Sequence, residues 1–182
     1  MNICVFGASS NDIDKEYIEA GEALGRAMAE KDHRLVFGGG QTGLMGAVSR
    51  GVAEGGGHIT GVAPKFFDIP GILRENCDEF IFTETMRERK DIMDNRSDAF
   101  IMTPGGIGTM EEFFEIYTLK QLKRHDKPIG ILNTCGYYDE LIHMLQSTAE
   151  KGFMDAECLE LFVVSDDPEE LLKKLIFMLP LA

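Results

Sequence analysis

The chain has 182 residues, which suits one folded unit with one core. Apolar residues make up 44% and charged residues 27%, and no run approaches the roughly 18 apolar residues needed to cross a bilayer. The formal net charge of −13 excludes broad contact with nucleic acid or acidic lipid, because there is no basic stripe to displace counterions, but it leaves room for a small anion held by a few local donors.

Short apolar runs alternate with longer amphipathic ones. Asn2–Phe6 reads as a strand ending in Gly7-Ala8-Ser9-Ser10, and Asp14–Lys31 as a helix. Arg34–Phe37 is a strand entering Gly38-Gly39-Gly40, and Leu44–Glu54 a helix closed by Gly55-Gly56-Gly57. His58–Ala63 is a strand stopped by Pro64, followed by a loop from Lys65 to Glu75. Glu79–Thr83 and Asp98–Thr103 are strands on either side of a helix over Thr85–Asn95. Glu111–Arg124 is a long helix, Pro128–Leu132 a strand, Tyr137–Glu150 a helix and Leu161–Val164 a strand. Pro168–Phe177 is the last helix, with proline at its first position. This alternation predicts a doubly wound, Rossmann-like parallel sheet with helices on both faces, forming a single domain over 1–182. Ligands of such sheets sit beyond the carboxyl ends of the strands, which directs attention to the glycine-rich ends after Phe6, Phe37 and Thr103.

Three segments could carry chemistry. Gly38-Gly39-Gly40-Gln41-Thr42-Gly43 contains G-x-G-x-x-G, but no acidic residue closes the following strand, so it reads as a close backbone approach rather than a dinucleotide fingerprint. Thr103-Pro104-Gly105-Gly106-Ile107-Gly108-Thr109 lacks the lysine of a Walker loop, yet it opens a helix whose unpaired amides and positive dipole end suit an anion. A competing reading takes Thr109-Met110-Glu111-Glu112 as a capping box, with Glu112 bound only to backbone. Met86-Arg87-Glu88-Arg89-Lys90 puts basic residues in a first helical turn, against the dipole. An anionic ligand or a carboxylate would offset that cost, and a solvated charged face is the plainer alternative.

The four cysteines, Cys4, Cys77, Cys135 and Cys158, form no C-x-x-C pair, which argues against zinc and dithiol chemistry. Met1 to Gly7 lacks the features of a secretory leader, so reduced thiols in the cytoplasm are expected. His33, His58, His125 and His143 form no metal-binding pattern, and no G-x-S-x-G elbow is present.

Pro104-Gly105-Gly106-Ile107-Gly108-Thr109-Met110-Glu111-Glu112 resembles the P-G-G-x-G-T-x-x-E signature of the Lonely Guy family, and Met86-x-x-Arg89-Lys90 resembles its companion M-x-x-R-K. The Gly38-to-Gly46 segment and the Gly7-to-Ser10 start are similar to the same family, which was long labelled lysine decarboxylase. The resemblance implies a cytokinin riboside 5′-monophosphate phosphoribohydrolase, or a relative that cleaves AMP, working without cofactor or metal. It implies Arg89 and Glu112 as the catalytic pair. Substrate contacts are implied for Lys90, Gly105, Gly106, Ile107, Gly108, Thr109 and Thr118, joined by Gly39, Gly40 and Ser9. The stretch Phe67 to Asp78 departs from the family pattern and leaves base specificity open.

Cleavage at the anomeric carbon builds oxocarbenium-like charge on the ribose, which a carboxylate can stabilise while taking a proton from water. A guanidinium stays protonated, so Arg89 is read as a hydrogen-bond donor rather than an acid. The rival from another class is a non-catalytic nucleotide or molybdenum-cofactor carrier of the same fold. Phe113, Phe114, Ile116, Tyr117 and Leu119 surround much of their helix, which predicts a second partner surface and a homodimer.

Overall fold

The structure, a computed structural model, describes residues 1–179, so the last three residues of the expected domain lie outside the described residues. Its strands are β1 (Asn2–Phe6), β2 (Arg34–Phe37), β3 (Ile59–Pro64), β4 (Glu79–Thr83), β5 (Ala99–Met102), β6 (Ile129–Leu132) and β7 (Val163–Ser165). The α-helices are α1 (Lys15–Glu30), α2 (Gly43–Glu54), α3 (Met86–Asn95), α4 (Ile107–Gln121), α5 (Asp139–Glu150) and α6 (Pro168–Phe177). Single 3-10 turns occur at Lys65–Phe67, Thr134–Gly136 and Ala156–Glu160. The strands form one seven-stranded sheet in the order β4-β3-β2-β1-β5-β6-β7, and every pairing is parallel.

The sheet is doubly wound because its central strands are apolar on both sides. In β1, Ile3 and Val5 face one layer, and Cys4 and Phe6 face the other, as the two-residue period of a strand requires. The first layer buries Leu24, Met28, Val48, Val52, Leu171 and Leu175 from α1, α2 and α6. The second buries Met93, Phe113, Ile116, Tyr117 and Leu145 from α3, α4 and α5.

Two expectations need correction. The long helix begins at Ile107 rather than Glu111, since Gly106 caps it and Gly108 lies within its first turn. Glycine has poor helix propensity, so a reading from composition starts the helix too late. The apolar girdle of α4 is also mostly satisfied within the chain. Phe113 stacks on Tyr117 at 5.4 Å, and both meet Phe162 edge-on, which leaves Phe114 and Leu119 half-buried.

Helices α1 and α2 cross with backbones in contact. A Cβ on Gly51 would lie 2.1 Å from the Glu22 carbonyl oxygen, and one on Gly25 would lie 2.2 Å from that of Val48. Neither obstacle is a side chain that can swing aside. Gly51→Ala is therefore expected to cost about 2–3 kcal/mol, a fall of roughly 5–10 °C in melting temperature, readable by calorimetry. An unchanged melting temperature would contradict the close crossing.

Candidate active site

Strand order reverses between β1 and β5, and there the sheet opens a crevice at its carboxyl edge. Three loops meet at this point. The Ala8 amide donates to the Pro104 carbonyl at 3.1 Å, and the Met45 amide to the Ala8 carbonyl at 3.2 Å. The Thr42 hydroxyl donates to the Ser9 carbonyl at 2.6 Å, and the Thr103 hydroxyl to the Phe6 carbonyl at 2.9 Å. Gly7 permits this meshing, because a Cβ there would stand 2.3 Å from the Thr103 hydroxyl oxygen. The loops after β1, β2 and β5 thus form one continuous floor.

Helix α4 rises from that floor. Gly106 caps it with no side-chain bond, and its first turn holds no acidic residue. Among the described residues, the amides of Gly106, Ile107, Gly108 and Thr109 have no backbone acceptor, whereas the buried Gly105 amide meets the Tyr138 hydroxyl. The helix therefore presents free N–H groups and the positive end of its dipole, the combination that binds anions. Glu112 stands in the second turn, so the capping-box reading fails: a carboxyl that far along does not reach back to a cap at Gly106. The capping box that does form belongs to α3, where Thr85 accepts from the Glu88 amide and the Glu88 carboxylate accepts from the Thr85 amide.

Glu112 lies three residues after Thr109 and four after Gly108, so it stands one turn above both on α4. There Glu112 meets Arg89 of α3. The Arg89 Nη1 donates to Glu112 Oε1 at 2.5 Å, and its Nε donates to the Val62 carbonyl at 3.2 Å. Only 8% of the Arg89 side chain and 13% of the Glu112 side chain remain exposed. Phe6, Met93, Phe100 and Ile116 line a small cavity on the Glu112 side of the pair. Burial pushes the Glu112 carboxyl above its ordinary range, although the Arg89 charge and hydrogen bond draw it down. Gly38 makes room for the guanidinium, since a Cβ there would sit 2.3 Å from the Arg89 Nη2. The basic first turn of α3 is therefore offset by carboxylates: Lys90 reaches Glu111 at 2.6 Å and Glu115 at 2.7 Å.

The crevice holds about 260 Å³ and is lined by Gly7, Ala8, Ser9, Met45, Phe67, Met86, Arg89, Gly106, Gly108, Thr109 and Glu112. Of the residues expected from sequence, it brings together Ser9, Arg89, Gly106, Gly108, Thr109 and Glu112. Gly105 lies buried behind them, its backbone against Thr109 and Ala8. The remaining expected residues lie elsewhere. Ile107 is 87% exposed, and Thr118 is exposed on another face of α4. Lys90 is occupied by its two carboxylates. Gly39 and Gly40 are buried under the 65–75 segment, where the Gly39 carbonyl accepts from the Arg74 amide and Gly40 bridges to Leu73. Met45, Phe67 and Met86 were not expected; they give the crevice an apolar wall beside its ionic floor. Among the described residues, no group of three or more His, Cys, Asp or Glu side chains is placed to hold a metal ion.

An open doubly wound sheet, a helix start with unpaired amides at the strand reversal, an apolar wall and a buried ion pair between them are the features of a nucleotide-type site on an α/β protein. Comparison with known proteins places the chain within that class. The model of a family described as possible lysine decarboxylases matches residues 45–175. A cytokinin riboside 5′-monophosphate phosphoribohydrolase of Arabidopsis thaliana is 41% identical over 95% of this chain and 80% of its own length. A probable enzyme of the same name from Oryza sativa subsp. japonica is 42% identical over 95% of this chain and 69% of its own. The chain belongs to this family, the Lonely Guy family of the sequence resemblance. Among solved structures, the molybdenum cofactor carrier protein of Chlamydomonas reinhardtii superposes with a TM-score of 0.72 at 24% identity, covering 97% of this chain and 98% of its own. At that identity the likeness establishes the fold alone.

Gly106 and Gly108 have an unusual property for helix-start glycines: a Cβ on either would meet nothing within 4 Å. Nothing in the folded chain fills that space, which leaves the helix start open to a ligand. Gly108→Ala should keep or raise the melting temperature, since alanine is favoured over glycine by about 1 kcal/mol within a helix. It should weaken binding of a phosphate-bearing ligand by about tenfold or more, measured by titration calorimetry. Unchanged affinity would remove the helix start from the binding site.

Proposed function

We propose that this chain hydrolyses the N-glycosidic bond of a purine nucleoside 5′-monophosphate, AMP or an N6-modified cytokinin nucleotide, releasing free base and ribose 5-phosphate. The observation that carries the reading is the buried Glu112–Arg89 pair, set one turn along the same helix whose start can hold the phosphate. The relatives named for this activity support it over most of the chain. In this reading the free amides of Gly106, Gly108 and Thr109 anchor the phosphate. The base lies against Met45, Phe67 and Met86, and the ribose is brought to Glu112. Anchoring a group that takes no part in bond breaking commits remote binding energy to positioning the reacting carbon.

A water oxygen bonds to the anomeric carbon as the carbon–nitrogen bond breaks and its electron pair leaves with the base. Glu112 takes a proton from the water, and a proton returns to the base nitrogen. The Glu112 carboxylate also faces the positive charge building on the ribose, in a setting dry enough to strengthen that attraction. Arg89 orients the carboxylate and donates to the substrate. A carrier of the same fold needs no such carboxylate, and no observation here favours that reading. We further propose a homodimer resting on α4, where Phe114 and Leu119 are half-buried and Leu122 is 60% exposed. The four free cysteines fit a cytoplasmic setting. Light scattering at micromolar concentration should give twice the chain mass, and a monomer would refute the dimer.

The decisive assay separates and counts free bases released from nucleoside monophosphates. AMP should release adenine far faster than adenosine does, and equal rates would contradict the phosphate anchor. Glu112→Gln should lose about 100-fold or more in turnover. It should still bind AMP and should lose only about 1–2 kcal/mol of stability, since the amide oxygen still accepts from Arg89. Because Glu112 must be ionised to act, wild-type turnover should climb with pH. Its acid limb should lie above the ordinary glutamate value of about 4.3, as burial raises the carboxyl. Near-normal turnover in the variant would overturn the catalytic role.

A further inference from the structure

The peptide carbonyls of the anion loop are held one after another from behind. Tyr138 donates its hydroxyl to the Thr103 carbonyl at 2.9 Å. The Ala8 amide donates to the Pro104 carbonyl at 3.1 Å. Tyr137 donates its hydroxyl to the Gly105 carbonyl at 2.9 Å. A trans peptide is planar, with its C=O and N–H pointing in opposite directions. Fixing the Pro104 carbonyl therefore fixes where the Gly105 amide points, and fixing the Gly105 carbonyl fixes the Gly106 amide.

The last of these peptides most needs holding. Glycine flanks it on both sides, and nothing packs where a Gly106 side chain would be. A Gly–Gly peptide flips easily, because no Cβ restricts either torsion. The flipped state would turn a carbonyl oxygen toward the bound anion where an N–H is wanted.

The two tyrosines reach the loop from the end of β6. Its exit is a tight turn in which Cys135 and Gly136 both take positive φ, at 53° and 70°. The Tyr138 amide is tied to the Asn133 side chain at 2.7 Å, and that side chain donates to Asp139 at 2.7 Å. The tyrosine rings stand edge to face at 4.8 Å, and Tyr17 of α1 packs edge-on against Tyr137 at 5.8 Å. Tyr138 is 1% exposed and belongs to the core, whereas Tyr137 is 42% exposed and contributes little to it.

We propose that Tyr137 is a positioning residue for phosphate recognition: its hydroxyl locks the Gly105–Gly106 peptide with the N–H toward the anion, so that the loop binds phosphate without first reorganising. This rests on the phosphoribohydrolase reading only for the choice of substrate; the anion itself can be tested without turnover.

The test compares wild type, Tyr137→Phe and Tyr137→Leu in three measurements. Affinity for inorganic phosphate and for ribose 5-phosphate is read by calorimetry, KM and kcat on AMP by base release, and binding of adenosine by equilibrium dialysis. A lost hydrogen bond of ordinary strength corresponds to about a 5- to 10-fold change. Tyr137→Phe should weaken both phosphate ligands by about that factor. It should raise KM for AMP equally, leave kcat within about twofold, and leave adenosine binding and melting temperature unchanged. Tyr137→Leu should match it, because only the hydroxyl is at issue.

Unchanged phosphate affinity in Tyr137→Phe would overturn the proposal. So would an equal loss for adenosine, a loss confined to kcat, or a much larger loss in Tyr137→Leu that assigns the effect to the ring. A wild type that binds phosphate but releases no base defeats the hydrolase reading, and the phosphate affinities alone then decide for or against the lock. A wild type that binds neither phosphate ligand overturns both.

Discussion

A guanidinium and a carboxylate withdrawn from water together gain less than they give up, unless their geometry is close and their remaining polar atoms are satisfied. Arg89 and Glu112 meet the first condition with a 2.5 Å contact, and Arg89 meets the second in part through the Val62 carbonyl. Much of the surrounding architecture serves this pair. Helix α3 must start where Thr85 and Glu88 cap it so that Arg89 faces inward. Residue 38 must be glycine to leave room for the guanidinium. Helix α4 must begin early enough for Glu112 to stand one turn above the open amides. On the outside, Lys90 bridges Glu111 and Glu115, a more exposed ionic clasp that holds α3 and α4 in the register the buried pair requires. Such a pair is weak evidence for stability, and a buried carboxylate beside a crevice is the kind of group that the proposed chemistry calls for.

The layered fold was legible because it depends on local periodicity. β1, β4 and α6 run over the residues that alternation, turn residues and the proline at position 168 single out. The start of α4 was not legible. Its first turn is written in glycine, whose poor helix propensity hides a helix that tertiary contacts impose. How much of the apolar girdle on α4 the chain itself covers was not legible either, for a related reason. Phe162 comes from a distant part of the chain to cover Phe113 and Tyr117, and no local pattern announces it.

The site divides in the same way. Arg89 and Glu112 were found through paired signatures, and the structure joins them between α3 and α4. Gly39 and Gly40 looked like ligand contacts because glycine marks close approach. The approach they permit is that of the protein's own 65–75 segment. Tyr137 and Tyr138 left no trace in the sequence reading, since their bonds run to backbone carbonyls more than thirty positions away and depend on no side chain at the receiving end.

The crevice is built from two unlike materials. At one end, amides set by the sheet, the crossed loops and a helix dipole leave little freedom for what they bind. At the other, Phe67 and Met86 are each 39% exposed, and Phe67 ends a single 3-10 turn in a segment whose neighbours Phe66 and Ile69 are also turned outward. Side chains carried this way can be exchanged without disturbing a strand or a buried charge. A scaffold so divided conserves its grip on the common part of a ligand series while its preference among the variable parts drifts by substitutions at the rim. The register of α3 and α4 that joins Arg89 to Glu112 need not change when the rim does.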